Sequence, residues 1–320
     1  MDPKTWVKHA RYHLNQLGTI LLIYYAIMNV TVTVFLLVDM ISFLVSQWPV
    51  DPMALMDAIM DSATSNGWGY LLAMAIGTGI LLLWKKPAFF KQEIFRGNRK
   101  MTGKDFWLLL CVFLCGQGLL QVMVPALEWV LNQMGLSAMA AMEAASIQTT
   151  GLSMFLYVSF LGPLAEELLF RGLLLRILEP YGKQPAIIFS ALLFGLFHGN
   201  IVQIPFAFLV GLVLAYVAIE YSITWAIILH VINNFLLADV MGRLDTILPT
   251  GIMDGVFYGI LAVAALVTIV VLILRRKEVG AYLKENRIHK LTAKAFFTSP
   301  TVLAFTILML INGLLTITPI

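Results

Sequence analysis

Runs of apolar residues constrain this chain more strongly than any other feature of its sequence. A helix needs about 20 apolar residues to cross the hydrocarbon core of a membrane. Eight runs approach or exceed that length, at residues 17–46, 68–84, 106–124, 152–178, 204–220, 223–241, 255–274 and 300–318. A ninth, at 185–198, is shorter and ends in Phe-Gly-Leu-Phe-His-Gly-Asn. Because 60% of the 320 residues are hydrophobic and 12% are charged, an ordinary soluble domain is excluded.

These runs predict an all-α fold, a polytopic transmembrane helix bundle of about eight or nine spans with a short or re-entrant helix at 185–198. No internal repeat, low-complexity tract or linker divides the chain. We therefore expect one integrated membrane domain with three regions. They are N-terminal helices and outer loops at 1–150, a helical core at 151–245, and C-terminal helices at 246–320.

The basic residues predict the orientation of the bundle. They cluster before the first span, between 85 and 104, at 176–183 and at 275–294, whereas the intervening loops 47–67 and 125–151 contain acidic residues and no Lys or Arg. Outside the apolar spans, only Arg243 departs from this alternation. Since cytoplasmic loops carry an excess of Lys and Arg, we expect a cytoplasmic N-terminus in a plasma (bacterial cytoplasmic) membrane.

Two segments outside the spans need separate interpretation. Residues 125–150 are rich in Ala and Met and fit either an outer surface segment or a further inserted element. Residues 281–298 mix Lys and Arg with apolar residues, which is typical of an amphipathic helix lying on anionic lipid. Membrane lipid is therefore an expected partner, and no nucleic-acid partner is expected.

An apolar stretch from 162 to 175 contains three charged residues, Glu166, Glu167 and Arg171. A charged side chain at the centre of a bilayer costs roughly 2.5 to 3.5 kcal/mol, so such residues usually face a protein interior or a watery cavity. Glu167 and Arg171 are four apart, in the order that favours a same-face ion pair. Glu166 points about 100° away and has no partner in its own turn, so it is the candidate general base. The alternative is a charged helix end at the cytoplasmic surface.

Two further groups of polar residues within apolar runs follow, and together with the charged group at 166–171 they are here called the three polar islands. His198 lies four residues after Phe194, and the next residues, Gly-Asn, provide a helix C-cap that places His198 in the last turn. His230 and Asn234 share a helix face, from which Asn233 points away. Each island alone could serve only to hydrogen-bond neighbouring helices to each other. Together they supply a carboxylate, two imidazoles and an amide, the groups that activate water and stabilise an oxyanion.

The three islands resemble the ordered motifs of a known family. Glu-Glu-Leu-Leu-Phe-Arg at 166–171, Phe-Gly-Leu-Phe-His at 194–198 and His-Val-Ile-Asn-Asn at 230–234 are similar to the motifs of the CAAX prenyl protease and bacteriocin-processing family, also called Abi proteins or type II CAAX endopeptidases. The resemblance covers about a quarter of the chain, and 151–245 would be its catalytic core.

The resemblance implies an intramembrane endopeptidase. Glu166 and His198 would activate a water molecule, and His230 and Asn234 would stabilise the oxyanion. Glu167, Arg171 and Phe194 would support the site. The substrate would be a membrane-associated or hydrophobic peptide, either a lipidated CAAX-type protein tail or a bacteriocin or signal peptide.

No cofactor is certain from the sequence. The family is often described as metallopeptidases, and Glu166, His198 and His230 could also form a zinc site with two His and one Glu ligand. We favour water activation without a metal and keep zinc as the alternative.

Two other functions fit the same residues. A non-catalytic member of the family could act as a membrane scaffold for a sensor kinase or another membrane partner, or as a bacteriocin-immunity protein. Buried carboxylates and histidines also form proton relays in proton-coupled transporters, although no inverted repeat is evident. Substitution of Glu166 separates the catalytic hypothesis from both alternatives.

Overall fold

The computed structural model describes residues 2–85, 89–146, 149–249 and 251–320, which are almost entirely helical. The helices are α1 (Pro3–Ser46), α2 (Pro52–Ser65), α3 (Trp68–Trp84), α4 (Gly103–Asn132), α5 (Met139–Ser146), α6 (Leu152–Tyr181), α7 (Lys183–Phe197), α8 (Gln203–Glu220), α9 (Ile223–Leu244), α10 (Ile252–Leu274), α11 (Arg276–Glu285), α12 (Lys290–Phe297) and α13 (Pro300–Leu315). A π-helical turn, Phe90–Ile94, lies between α3 and α4. Two short strands, β1 (Leu136–Ser137) and β2 (Thr318–Pro319), pair antiparallel.

The predicted helical membrane bundle is confirmed. Among the described residues, six helices are long and apolar enough to cross a membrane, namely α1, α4, α6, α8, α9 and α10, and the number rises to eight if each bent pair counts as one span. The bent pairs are α2 with α3, at 43°, and α12 with α13, at 63°. These eight elements correspond one to one to the eight apolar runs of the sequence, and α7 is the short ninth.

Two of the long helices contain wide turns. In α6, π-helical segments at Tyr157–Leu161 and Leu168–Leu174 flank the α-helical Gly162–Glu167. In α9, the α-helical Ile223–Val231 leads into a π-helical segment, Ile232–Val240, and α-helical turns resume at Met241 and continue past the end of α9 to Ile247. Such turns are rare and occur frequently at functional sites. Both sequence motifs on these helices therefore border irregular backbone.

One end of the bundle, here called the basic end, consists of residues 4–11, 89–104, 176–183, 216–222 and 275–298. Arg176 donates through Nη2 to the carbonyl oxygens of Arg96, at 2.6 Å, and Ala218, at 3.0 Å. Asn98 donates to the Ile219 carbonyl at 2.7 Å. These donors satisfy carbonyl groups in the last turn of α8, which have no partner within the helix. The segment before α4 is thereby fixed to α8.

The remaining parts of the basic end meet at Glu220 and at α7. The Glu220 carboxylate accepts from Lys183 Nζ at 2.8 Å and from the Tyr282 hydroxyl at 3.0 Å. Phe296 of α12 stacks on Phe189 of α7, with ring centroids 3.9 Å apart. The basic segments that are distant in sequence therefore lie at one end of the molecule.

The opposite end, here called the acidic end, consists of residues 39–67, 128–146, 149–153, 198–203, 239–249 and 316–320. Asp39 accepts hydrogen bonds from Ser62 at 2.5 Å and from Asn66 at 2.6 Å, which ties α1 to the α2–α3 bend. Asn200 donates to the Ala141 carbonyl at 2.9 Å and so joins the α7–α8 turn to α5.

The structure resolves the two uncertain segments. The start of 125–150 continues α4 to Asn132, and β1 and α5 follow at the acidic end, with 147–148 outside the described residues. The expected amphipathic helix at 281–298 is divided between α11 and α12, which end and begin on either side of 286–289. The division lets Phe296 turn into the core, where it is buried, while α11 has no buried residue.

Helix α7 begins at the basic end and is shorter than a membrane span. Its 15 residues rise about 22 Å, which is less than the roughly 30 Å hydrocarbon core. Gly199 adopts a φ of +56°, a left-handed conformation that suits glycine and ends the helix. Asn200 Oδ1 then accepts from the backbone N–H of Val202, at 2.9 Å, and Gln203. The predicted short helix ending at His198 is confirmed.

Candidate active site

A buried ion pair lies at the centre of the site. Arg171 Nη1 donates to Glu167 Oε1 at 2.7 Å, and both side chains are fully buried. Arg171 also donates to the Gly211 carbonyl of α8 at 3.3 Å. The predicted pairing of these residues on one helix face is confirmed. Breaking a buried pair leaves an uncompensated charge. Because Arg171 must stay with Glu167 and also binds Gly211, the pair constrains how α6 packs against α8.

His230 of α9 lies between the two neighbouring glutamates of α6. Its Nδ1 is 2.9 Å from Glu167 Oε1, the same oxygen that accepts from Arg171. A carboxylate only accepts, so Nδ1 carries a proton. The other ring nitrogen, Nε2, lies 3.6 Å from Glu166 Oε2, which is too long for a hydrogen bond. A histidine from another helix therefore faces Glu166.

His198 is oriented by the backbone of its own helix. Its Nδ1 lies 3.0 Å from the Phe194 carbonyl oxygen. Because this oxygen can only accept, the hydrogen bond places a proton on Nδ1. In the neutral ring Nε2 then holds the lone pair and can accept a proton or a hydrogen bond. The hydrogen bond thus selects the tautomer that can bind a water molecule through Nε2.

Phe194 packs among three polar side chains of the site. Its ring lies 4.1 Å from the Arg171 guanidinium carbon, a cation–π contact. The rings of His198 and His230 meet it edge to face, with centroid distances of 5.0 and 5.7 Å. Phe194 therefore fixes the spacing of the two imidazoles and the arginine.

Glu166 and His198 line the same cavity of about 530 Å³. Residues from α1, α2, α3, α5 and α6 and from around the α7–α8 turn form its other walls, among them Tyr25, Tyr70, Tyr157, Phe197 and Gln203. Unlike the fully buried Glu167, the Glu166 side chain is 22% exposed. The cavity mixes apolar walls with convergent polar groups, which is typical of a ligand site.

Asn234 joins α9 to the cavity wall. Its side-chain N–H donates to the Val158 carbonyl at 3.0 Å, and Val158 lines the cavity. Its side-chain oxygen accepts from Asn233 at 2.9 Å. Asn233 in turn accepts a hydrogen bond from Gln117 of α4. Asn234 itself, like His230, does not line the cavity.

The predicted site residues therefore converge in two layers. Glu166 and His198 face the cavity, while Glu167, Arg171, Phe194 and His230 form a packed layer linked by the contacts above. Asn234 lies one helical turn beyond His230. In the described part of the chain, no group of three or more His, Cys, Asp and Glu side chains has the spacing to hold a metal ion. Glu166, His198 and His230 are not arranged as a zinc-ligand set in this structure.

Sequence reasoning missed the cavity residues that no motif marks. Tyr157 lies nine positions before Glu166 on α6, and Asn29 and Tyr25 come from α1, more than a hundred positions away. A polar residue inside an apolar run was the available signal for Asn29 and for Gln117. Neither residue forms a recognisable pattern with the three islands, because their proximity depends on how the helices pack.

Comparison with known proteins supports the resemblance. Residues 148–236 match the model of a family described as type II CAAX prenyl endopeptidase Rce1-like. The matched segment contains every site residue predicted from the sequence. No curated protein and no solved structure matches the chain. The chain thus contains an Rce1-like domain, and its several apolar helices make it an integral membrane protein.

Proposed function

We propose, with the Rce1-like domain at 148–236 as the premise, that the chain hydrolyses a peptide bond within the membrane. Its substrate would be a membrane-associated or hydrophobic peptide, of the CAAX-tail or the bacteriocin and signal-peptide kind. The main support is the placement of Glu166 and His198 on one cavity. A carboxylate and a neutral imidazole facing a common space are the groups that take a proton from water.

In the proposed reaction, Glu166 accepts a proton from a water molecule that His198 orients through Nε2. The water oxygen bonds to the carbonyl carbon of the peptide, and the carbonyl oxygen becomes an oxyanion. Transfer of the proton from Glu166 to the peptide nitrogen then breaks the C–N bond. The products are a carboxylic acid and an amine, between which a proton then passes to give a carboxylate and an ammonium group, and Glu166 returns to its initial state.

His230 and Asn234 are proposed to donate hydrogen bonds to the oxyanion. His230 can do so through Nε2–H when the ring is protonated, because Nδ1–H is held by Glu167. Asn234 keeps one side-chain N–H beyond the one that binds the Val158 carbonyl. Donors fixed before the reaction stabilise developing charge without reorganisation. Glu167, Arg171 and Phe194 act as positioning residues for His230.

The proposed mechanism needs no metal, and metal analysis tests that choice. Purified protein is analysed for zinc, and peptide hydrolysis is measured before and after treatment with a chelator. Full activity at substoichiometric zinc is the expected result. Loss of activity on chelation, with recovery on adding zinc, would replace this mechanism by the zinc alternative, with Glu166, His198 and His230 as the ligands.

The central test compares Glu166→Gln with the native protein in cells. Removing a general base typically lowers the rate by about 10²- to 10⁴-fold, so the peptides that mature in native cells are expected to remain unprocessed. Glu143→Gln is the matched control, because Glu143 is an exposed acid on α5. If Glu166→Gln leaves peptide maturation or immunity unchanged at equal protein level, the scaffold or immunity function replaces proteolysis.

A further inference from the structure

The two ends of the bundle differ sharply in charge. Of the 21 Lys and Arg residues, Arg171 lies within the bundle and Arg243 lies at the acidic end. All the others fall in sequence segments before or within the first turns of α1, between α3 and α4 or at the start of α4, near the α6–α7 junction, and between α10 and α13. Arg243 binds Asp239 there, at 2.9 Å. The acidic end also contains Asp51, Asp57 and Asp61.

Contacts across the basic end show that these segments share one side of the molecule. Arg11, near the start of α1, donates to Thr298 at 2.6 Å. Arg96 binds Glu179 at the end of α6, at 2.7 Å, and Glu220 binds Lys183. An excess of basic residues marks the cytoplasmic side of a membrane protein. The basic end is therefore cytoplasmic, and the acidic end faces outward.

The cavity of Glu166 and His198 lies toward the acidic end. Six of its lining residues belong to segments of that end, namely Ala63, Thr64, Ala144, Thr149, His198 and Gln203. Ala63 and Ala144 are exposed, so the cavity reaches the surface there. No described residue of the basic end lines it.

The packing of α7 and α8 explains this asymmetry. Both helices meet the basic end, and they are joined by the turn at 198–203, which belongs to the acidic end. Gly195 lies so close to α8 that an added Cβ would come within 2.7 Å of the Ile204 carbonyl oxygen. The two helices therefore pack closely between the basic end and the cavity, and Phe197, His198 and Gln203 near the turn line the cavity.

We propose that the site receives its substrate from the outer face of the membrane, so that the substrate is an exported peptide rather than a prenylated protein tail in the cytoplasm. That a substrate enters the cavity rests on the proposed function, whereas the direction of access follows from the charges and the cavity alone. An exported peptide reaches Glu166 from the acidic end without crossing the bilayer again.

Thiol labelling of single-cysteine variants tests the direction of access. Cys111 and Cys115 are first replaced by alanine. Gln203→Cys then reports on the cavity, Asp57→Cys on the acidic end and Lys100→Cys on the basic end; Asp57 and Lys100 are exposed. A membrane-impermeant maleimide is applied to right-side-out and to inside-out bacterial membrane vesicles. We expect Gln203→Cys and Asp57→Cys to react in right-side-out vesicles and Lys100→Cys in inside-out vesicles.

Three labelling results would overturn the inference. They are reaction of the cavity cysteine only from the side that labels Lys100→Cys, reaction of Asp57→Cys in inside-out vesicles, and no reaction of the cavity cysteine from either side. Thr64→Cys, also on the cavity wall, repeats the measurement in case the Gln203 variant fails to fold. For each variant, we expect near-complete labelling in vesicles of the reactive orientation and near-background labelling in vesicles of the other orientation.

A peptide comparison tests the substrate class separately. Peptides that differ between native and Glu166→Gln cells are expected to come from precursors with export signals, and differences confined to cytoplasmic prenylated proteins would overturn the inference. If labelling shows outer access but no peptide depends on Glu166, the proposed function fails and the direction of access stands. If peptides depend on Glu166 but labelling shows inner access, the function stands and this inference fails.

Discussion

Replacing Arg171 by methionine tests the buried charges on which the site is built. Methionine keeps much of the side-chain length but leaves Glu167 fully buried without its cation. Removing one partner of a buried ion pair usually costs about 3–5 kcal/mol. The hydrogen bond to Gly211 and the cation–π contact with Phe194 are lost as well. We expect Arg171→Met to lower the free energy of unfolding by about 3–5 kcal/mol.

Two further variants make the test specific. In Glu167→Gln/Arg171→Met no charge is left buried, and the Gln oxygen can still accept from His230, so the loss is expected to fall to about 1–3 kcal/mol. Arg96→Met removes an ion pair with Glu179 in which Arg96 is 43% exposed, and the expected loss is below about 1 kcal/mol. The ordering of the three variants carries the prediction.

The assay is equilibrium unfolding of the purified protein in mixed micelles, with the fraction of SDS as the denaturing variable and tryptophan fluorescence as the signal. Peptide hydrolysis is measured on the same samples under native conditions. An Arg171→Met protein as stable as Arg96→Met would refute the reasoning. A double variant less stable than Arg171→Met would also refute it, because the destabilisation would not then come from an unpaired Glu167.

Three other predictions concern single contacts. Gly195→Ala is expected to separate α7 from α8 and cost about 1–3 kcal/mol, whereas Gly259→Ala, where an added Cβ meets nothing within 4 Å, is expected to be neutral or slightly stabilising in the same unfolding assay. Asn234→Ala is expected to lower kcat by about 10²- to 10³-fold with little change in KM; a change in KM alone in steady-state kinetics would refute its oxyanion role. Burial, and then the charge of Glu220, raise the pKa of Tyr282, so stability should fall above about pH 10, where the unfolded chain ionises this phenol. In the Tyr282→Phe variant, the free energy of unfolding should fall less steeply above this pH than in the control variant Tyr12→Phe, which replaces an exposed tyrosine. Equal pH profiles of stability in the two variants would contradict the expectation.

The sequence was sufficient where a structural feature depends on neighbouring residues along one helix. The Glu167–Arg171 pair follows from spacing, and the end of α7 at His198 follows from the glycine after it. The apolar helices that are candidates to cross the membrane follow from hydrophobicity alone. Each of these features needs only the local conformation to be right.

The features that depend on packing between helices were beyond the sequence. His230 lies between two adjacent glutamates because α9 packs against α6, and spacing along either helix gives no sign of it. The amphipathic segment at 281–298 divides because Phe296 finds a buried partner in Phe189. The hydrophobic pattern shows that Phe296 is apolar, but it does not reveal which face of which helix receives it.

The wide turns of α6 have a consequence for how this chain tolerates changes in length. A π-helical turn holds one more residue than an α-helical turn, so deleting a single residue within Leu168–Leu174 would let the helix rewind as a regular spiral. The side chains after the deletion would keep nearly the orientation that they have now, because the regular spiral covers the same turn with one residue fewer. A deletion before Arg171 would place this residue three positions after Glu167, a spacing that also lies on one helix face. A natural or engineered shortening by one residue at this place would therefore preserve the packing of α6, whereas the same deletion within the regular α10 would rotate every later side chain by about 100°.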